Sequence, residues 1–132
     1  MGTRSLTFVY ETYNDGHEPI LCLYRQYDGY PEGHGLELVE FLRGKRLVNG
    51  MSGDTSMLFN GMGCLAASLV AHFKTAAGGF YIHAPIVGRD DGQDYEYHIY
   101  ENRIVVKNYN GNEMFAGDWD KFSKFCSAEE VA

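Results

Sequence analysis

The chain has 132 residues, of which 45% are hydrophobic and 14% aromatic, so we expect one domain, residues 1–132, around one hydrophobic core. Eighteen acidic and eleven basic residues give a formal net charge of -7, which argues against a surface that follows a nucleic acid polymer. The first residues show no secretory signal, and no apolar run is long enough for a membrane span. These features predict a cytoplasmic protein without membrane contact.

The first half of the chain predicts a hairpin followed by two helices. Residues 4–11 alternate in a pattern typical of a half-buried strand, with Leu6, Phe8 and Tyr10 on one face. The Asn14-Asp15-Gly16 turn leads to a second strand at residues 20–27. Apolar spacing then predicts a short helix at 36–42 and a central helix from Ser56 to about Thr75.

The second half predicts four strands and a last short helix. The strands are expected at residues 80–84, 94–100, 103–109 and 113–116, and Asn110-Gly111 predicts a type I′ turn. Asp118 is a suitable N-cap for the last helix. The whole pattern predicts an α+β fold, with a mainly antiparallel sheet of about five to six strands packed against one central helix and two shorter helices.

The segment from Tyr24 to Gly35 concentrates tyrosines, glycines and charged groups between a strand and a helix. As a recognition loop, it would use Arg25 to hold a phosphate or carboxylate, and Tyr27 and Tyr30 to stack on a base. Asp28 and His34 add further polar contacts to such a site. Alternatively, the tyrosines cap the edge of the sheet and Arg25 pairs with an acid in the same loop.

Further binding residues are predicted outside this loop. Asn60 and Gly61, at the start of the central helix, could cradle a phosphate, although the segment lacks the lysine of a P-loop, and close helix packing also explains its glycines. Gln93 and Tyr95 begin a tyrosine-rich strand that is expected to line the same cleft, unless its aromatic residues are ordinary cross-strand packing. Arg4, with Arg89 or Arg103 in addition, would meet phosphates.

Catalytic and metal sites have weaker sequence support. His34 with Asp28 is the alternative catalytic pair, and Cys64 near a helix start could be a nucleophile but is more simply a buried thiol. The histidines at 34, 83 and 98, with Asp94 and Glu96, match no zinc spacing. The odd number of cysteines, three, predicts buried thiols rather than disulfides. We therefore predict no metal and no cofactor.

Four segments resemble a family of small, uncharacterised phage and prophage proteins. They are residues 1–8, the loop at 24–35, Phe-Asn-Gly-Met-Gly-Cys-Leu-Ala-Ala at 59–67 and Gly-Gln-Asp-Tyr-Glu-Tyr at 92–97. The resemblance covers most of the chain and implies a genomic setting, and with it the cytoplasm of a bacterial host. It carries over no catalytic residue. Small phage proteins of this size include sponges that sequester the nucleotide signals of bacterial defence systems, which is an analogy of class.

These observations together predict a non-enzymatic binding protein, a homo-oligomer, that sequesters a small anionic nucleotide-like ligand of immune signalling. Two alternatives stay open. One is a small hydrolase or phosphodiesterase that acts on such a nucleotide through His34 and Asp28. The other is an acidic protein that binds and inhibits a host factor.

Overall fold

The computed structural model describes residues 2–11, 18–50 and 53–131. The predicted turn at residues 14–16 lies outside these ranges. In chain order the elements are β1 (Ser5–Tyr10), β2 (Pro19–Arg25), a π-helical turn (Pro31–Gly35), α1 (Leu36–Leu42), β3 (Arg46–Val48), β4 (Leu58–Asn60), α2 (Gly61–Phe73), β5 (Phe80–His83), β6 (Tyr95–Ile99), β7 (Ile104–Asn108), β8 (Glu113–Gly117) and α3 (Trp119–Val131).

The main sheet has six strands in the order β5-β2-β1-β6-β7-β8, and β3 pairs with β4 in a separate two-stranded sheet. Neighbouring strands of the main sheet run antiparallel, except that β1 and β6 are parallel. Side chains of the three α-helices form one buried cluster with one face of this sheet, called here the helical face. The predicted α+β class is confirmed, and the parallel pair makes the sheet mixed.

β1 lies in the interior of the sheet, and all six of its residues are buried. The prediction of a half-buried strand is therefore wrong. On the helical face, Val9 belongs to the core cluster of the helices. The opposite face, called here the loop face, buries Leu6, Phe8 and Tyr10 in a second cluster. The loop at residues 84–94 lies at this face, where Gln93 donates a hydrogen bond to Glu96 at 2.9 Å.

The central helix α2 begins at Gly61, five residues later than the predicted start at Ser56. Gly61 has a φ of +83°, which an α-helix does not accommodate, so the helix cannot extend back through this residue. The preceding residues form β4, which pairs in parallel with β3. The last helix is longer than predicted, since α3 and α2 both have 13 residues. No helix among the described residues has the length and apolar character of a membrane span.

The connection between β7 and β8 is not the predicted type I′ turn. That turn needs a positive φ at both central residues, and Asp28 is the only described residue other than glycine with a positive φ. Asn110 therefore does not have the required conformation. Instead, Oδ1 of Asn108 accepts hydrogen bonds from the backbone N–H groups of Asn110 at 3.0 Å and Asn112 at 3.1 Å. An asparagine side chain thus holds the turn.

The outer edge of β5 is partly capped by side chains. Nζ of Lys74 donates to the carbonyl oxygen of Phe80 at 2.9 Å, and Nη1 of Arg89 donates to that of Ala84 at 2.8 Å. Both carbonyls are thereby less available to a strand from another chain. The expected homo-oligomer stays a prediction, and the capped carbonyls do not favour extension of the sheet through β5.

Gly35 lets the π-helical turn pack closely against α3, because a Cβ at this residue would lie only 2.6 Å from Sγ of Cys126. We expect Gly35→Ala to lower the free energy of unfolding by about 1–3 kcal/mol through overpacking. In Gly35→Ala/Cys126→Ala the clashing sulfur is removed, so the double variant should lose less than the sum of the single losses. Urea denaturation measures all three variants, and strictly additive losses would contradict the proposed contact.

Candidate functional site

Arg25 points into the protein and not towards solvent, with 8% of the residue exposed. Its Nε donates to the carbonyl oxygen of Tyr27 at 2.6 Å, and its Nη1 lies 3.1 Å from Nδ1 of His34. Nη2 forms an ion pair with Glu37 at 2.8 Å. Each nitrogen of the guanidinium therefore already has a protein partner, and little of the residue is exposed to meet a bound anion. The alternative interpretation pairs Arg25 with an acid of the same loop. Arg25 does pair with an acid, but this acid is Glu37 of α1.

His34 is completely buried, and its two contacts fix its protonation. A guanidinium can only donate, so Nδ1 of His34 accepts from Arg25 and the ring proton lies on Nε2. Nε2 then donates to Oγ1 of Thr7 at 2.7 Å. Burial, and secondly the charge of Arg25, lower the pKa of His34 to about 3. His34 is thus a neutral structural group, and the predicted roles in ligand contact or catalysis are not favoured by this geometry.

The remainder of the loop is anchored to the start of β1. The N–H of Gly29 donates to the carbonyl oxygen of Thr3 at 2.9 Å, and the carbonyl oxygen of Gly29 accepts from the hydroxyl of Tyr97 at 2.7 Å. Asp28 has a φ of +61°, and its carboxylate accepts from the hydroxyl of Tyr30 at 3.2 Å. The same carboxylate raises the pKa of Tyr30. Tyr27 is 54% exposed, and its ring packs against Gly2, which precedes β1.

Arg4, Gln93 and Tyr95 lie close to one another near the start of β1, where Gly29 of the loop also packs. The N–H of Asp94 donates to the carbonyl oxygen of Arg4 at 2.9 Å, and Tyr95 lies opposite Ser5 in the β1–β6 pair. The side chain of Gln93, however, is used within the 84–94 loop, where Nε2 donates to the carbonyl oxygen of Arg89 at 2.9 Å. The structure brings these residues together at one end of the sheet, and of the three Gln93 lines a described cleft, one of about 360 Å³ that it shares with Arg89.

Asn60 and Gly61 lie at the opposite end of β1. Oδ1 of Asn60 accepts from the N–H of Gly50 at 2.7 Å, and the first turn of α2 faces an acid, since a Cβ at Gly63 would be 3.6 Å from Oε1 of Glu11. A carboxylate at a helix start competes with any other anion there. The two halves of the predicted site are thus separated, and Asn60 and Gly61 are not favoured as a phosphate cradle.

The histidines of β5 and β6 belong to separate hydrogen-bonded groups on the loop face. Nε2 of His98 donates to Glu96 at 2.9 Å, and its Nδ1 lies 2.6 Å from the hydroxyl of Tyr10. His83 lies 2.8 Å from Asp91, which also binds Arg89. Among the described residues, no group of three or more His, Cys, Asp or Glu side chains is arranged to hold a metal ion.

The arrangement most suited to a ligand lies elsewhere, between the end of α1 and the start of α3. This cleft, called here the α1–α3 cleft, has a volume of about 390 Å³, within the usual size of small-molecule sites. It opens on the helical side of the sheet. Its lining residues are Val39, Leu42, Arg43, Gly44, Lys45, Arg46, Trp119, Asp120, Phe122 and Ser123.

Three cations meet at this cleft because the chain turns sharply after α1. Gly44 has a φ of +72°, and the turn it permits brings Arg43, Lys45 and Arg46 to the lining. Nζ of Lys45 donates to the carbonyl oxygen of Phe41 at 2.6 Å and lies 4.8 Å from the centre of the Phe41 ring, so this charge is partly used at the end of α1. Arg43 pairs with Glu40 at 3.4 Å in an exposed contact of little energy. No described hydrogen bond or ion pair engages the guanidinium of Arg46.

Trp119 forms the aromatic wall of the same cleft. The Trp119 side chain is partly exposed, but its indole nitrogen, Nε1, is buried and has no hydrogen-bond partner among the described residues. Such a buried donor costs about 1–3 kcal/mol while it stays unpaired. The ring packs edge-on to Phe59 at 6.5 Å, and Asp118 caps the helix start by accepting from the N–H of Lys121 at 2.9 Å. A rigid helix start therefore holds the indole in place.

Sequence reasoning missed this cleft, although a signal was present. Residues 43–46 read Arg-Gly-Lys-Arg, which places three of the eleven basic residues of an acidic chain within four positions. Such a local concentration of charge predicts an anion site more directly than a single arginine does. Its aromatic partner, Trp119, is far away in the sequence, so only the fold brings the two together.

The cleft of about 360 Å³ beside Gln93 has Arg89 as its one cation, and Asp91 already binds that arginine.

Two further described clefts suit an anion less well than the α1–α3 cleft. One of about 440 Å³ is lined by Glu11 and Glu101 and by no cation. Another of about 560 Å³ has Lys45 as its one cation, next to Cys64 and His72. Cys64 and His72 are eight residues apart on α2, or roughly 12 Å along the helix axis, and so do not form a nucleophile and base pair there.

The buried His34 predicts a specific loss of stability in mild acid. The unfolded chain binds a proton at His34 near pH 6.5 but the folded chain only near pH 3, so stability falls as the pH falls between these values. The expected slope is about 1.4 kcal/mol per pH unit. The pKa values of Glu96 and Asp91 are also lowered, from ordinary values of 4.5 and 3.8. Their contributions to stability are therefore lost at lower pH than the contribution of His34.

Urea denaturation between about pH 6.5 and 5 measures this slope. His34→Gln should flatten it, whereas His72→Gln, which replaces an exposed histidine, should leave it unchanged. A wild-type protein whose stability is constant over this interval would contradict the buried neutral state of His34.

Comparison of the chain with models of known families, with curated proteins and with solved structures finds no match. The geometry of the α1–α3 cleft is thus what bears on function.

Proposed function

We propose that the protein binds a small anionic, nucleotide-derived molecule in the α1–α3 cleft and sequesters it without converting it. The observation that carries this proposal is the meeting of Arg43, Lys45 and Arg46 with Trp119 in one cleft. Guanidinium and ammonium groups bind phosphate oxygens, and an indole offers a face on which a base stacks. Cations and an aromatic wall together match the two chemical parts of a nucleotide.

The charge distribution supports a small ligand and not a polymer. The chain has a net charge of -7, so a long nucleic acid would meet repulsion over most of the surface. At physiological salt, charges further away than about 8 Å are largely screened. A ligand that fits within the cleft therefore experiences mainly the charges of the lining, which are three cations and the carboxylate of Asp120. The cleft selects for short anions in this way.

The lining also supports binding in preference to catalysis. Its ten described residues include no histidine and no cysteine, and Asp120 and Ser123 are the side chains with hydroxyl or carboxylate groups. The alternative base, His34, is buried and accepts a hydrogen bond from Arg25. A general base needs a free lone pair within reach of the reacting group. The predicted catalytic pair of the hydrolase alternative, His34 and Asp28, thus lies outside the lining of the cleft.

The motifs that resemble phage and prophage proteins extend the proposal to a biological setting. In that setting the protein is encoded by a phage, acts in the bacterial cytoplasm and removes a nucleotide signal of host defence. A sponge of this kind needs tight binding and release of intact ligand, and it needs no turnover. This extension rests on resemblance of the motifs and on analogy of class.

Isothermal titration against nucleoside phosphates, cyclic nucleotides and ADP-ribose tests the proposal. We expect at least one ligand to bind more tightly than millimolar. Arg46→Gln should lower the affinity for that ligand by about ten-fold or more, because a hydrogen bond to a charged group contributes about 1.5–3 kcal/mol. Lys107→Gln is the control, since it removes one positive charge from β7 beside Glu96, outside the cleft. Equal losses in both variants would show a general charge effect.

Heating the complex separates sequestration from hydrolysis. A binding protein releases the ligand unchanged, whereas a hydrolase releases product, and chromatography of the supernatant distinguishes the two. Trp119→Ala should abolish most of the binding if the indole stacks on the base. The proposal fails if no member of the panel binds more tightly than millimolar.

A further inference from the structure

A second cleft adjoins the α1–α3 cleft at Trp119 and has the opposite balance of charge. It has a volume of about 360 Å³ and shares Arg46, Trp119 and Asp120 with the α1–α3 cleft. Its remaining lining residues are Leu47, Glu101, Asn102 and Asp118. We call it the acidic cleft. The two clefts are therefore adjacent along the residues that they share.

The charges of the two clefts differ in sign. The α1–α3 cleft has three cations and one carboxylate, whereas the acidic cleft has three carboxylates and one cation, Arg46. A phosphate is attracted to the first and repelled by the second. A ligand that spans both clefts can therefore bind in only one direction, with its phosphate beside Arg43 and Lys45.

The carboxylates also determine which base fits. A carboxylate only accepts hydrogen bonds, so the base edge that faces Asp120 and Glu101 must donate. Guanine presents a ring N–H and an amino group side by side, which matches the two oxygens of one carboxylate. Uracil has a single N–H between two carbonyl oxygens, and those oxygens are repelled by a carboxylate. Adenine and cytosine each offer an amino donor and are intermediate.

We propose that the ligand spans both clefts, with its phosphate in the α1–α3 cleft, its base against Trp119 and a guanine edge bound by the carboxylate of Asp120. This inference rests on the proposed function and deepens it, because it names the base. Asp120 suits this role since it lines both clefts and no described hydrogen bond or ion pair engages its carboxylate. Asp118 is less suitable, since its Oδ1 already caps α3.

Titration of the full chain with GMP, AMP, CMP and UMP tests the base. We expect GMP to bind most tightly and UMP most weakly, with a ratio of affinities of roughly ten-fold or more between them. Asp120→Asn should reduce this ratio towards one, because an amide no longer offers two acceptors to guanine. Glu113→Gln is the charge-matched control, at the end of β8 remote from Asp118, and should leave the ratio unchanged.

The outcomes separate the two proposals. If none of the four nucleotides binds and the wider panel fails as well, the proposed function is wrong and this inference fails with it. If they bind equally well, or Asp120→Asn leaves the ratio of GMP to UMP unchanged, the guanine assignment is wrong while the proposed function stands. Thermal melting shows whether Asp120→Asn is folded, and Glu101→Gln provides a second neutralised carboxylate should it not be.

Discussion

The guanidinium of Arg25 lies between the sheet and α1, where a charge is costly unless every donor finds a partner. It is held by Glu37, by the carbonyl oxygen of Tyr27 and by Nδ1 of His34. These contacts fix the start of α1, the path of the loop and the ring of His34 at once. Because His34 in turn binds Thr7, the central strand is joined to the same group. The helical layer is positioned on the sheet through this buried network.

The position of the cleft follows from that arrangement. The π-helical turn contacts α3 at Gly35, where no side chain larger than hydrogen fits against Cys126, and α1 continues directly from that turn. The end of α1 and the start of α3 are therefore held at a defined separation. Trp119 and the cations after Leu42 face each other across it. One wall of the cleft thus belongs to the start of α3, and the cations stand on the turn that follows α1.

The two faces of the sheet differ in the side chains that pack against them. The loop face contains stacked rings, with Phe8 on His98 at 5.0 Å and Tyr10 on Tyr100 at 4.3 Å. Its polar groups are satisfied within the protein, since Glu96 binds both His98 and Gln93. The pKa of Glu96 is lowered, first by the hydrogen bond from His98. This face stabilises the fold, while the helical side carries the three cations of the α1–α3 cleft.

The sequence by itself determined the fold class, the order of most strands and helices, and the acidic charge that argues against a polymeric ligand. These follow from local spacing and composition, as the alternation of β6 and the stripe of α1 illustrate. The direction of Arg25 and the separation of Asn60 from the loop were decided only by the tertiary structure. The tertiary structure also decided that residues 43–46 line one cleft with Trp119. Side-chain direction depends on register and on packing between distant segments, which no local pattern encodes.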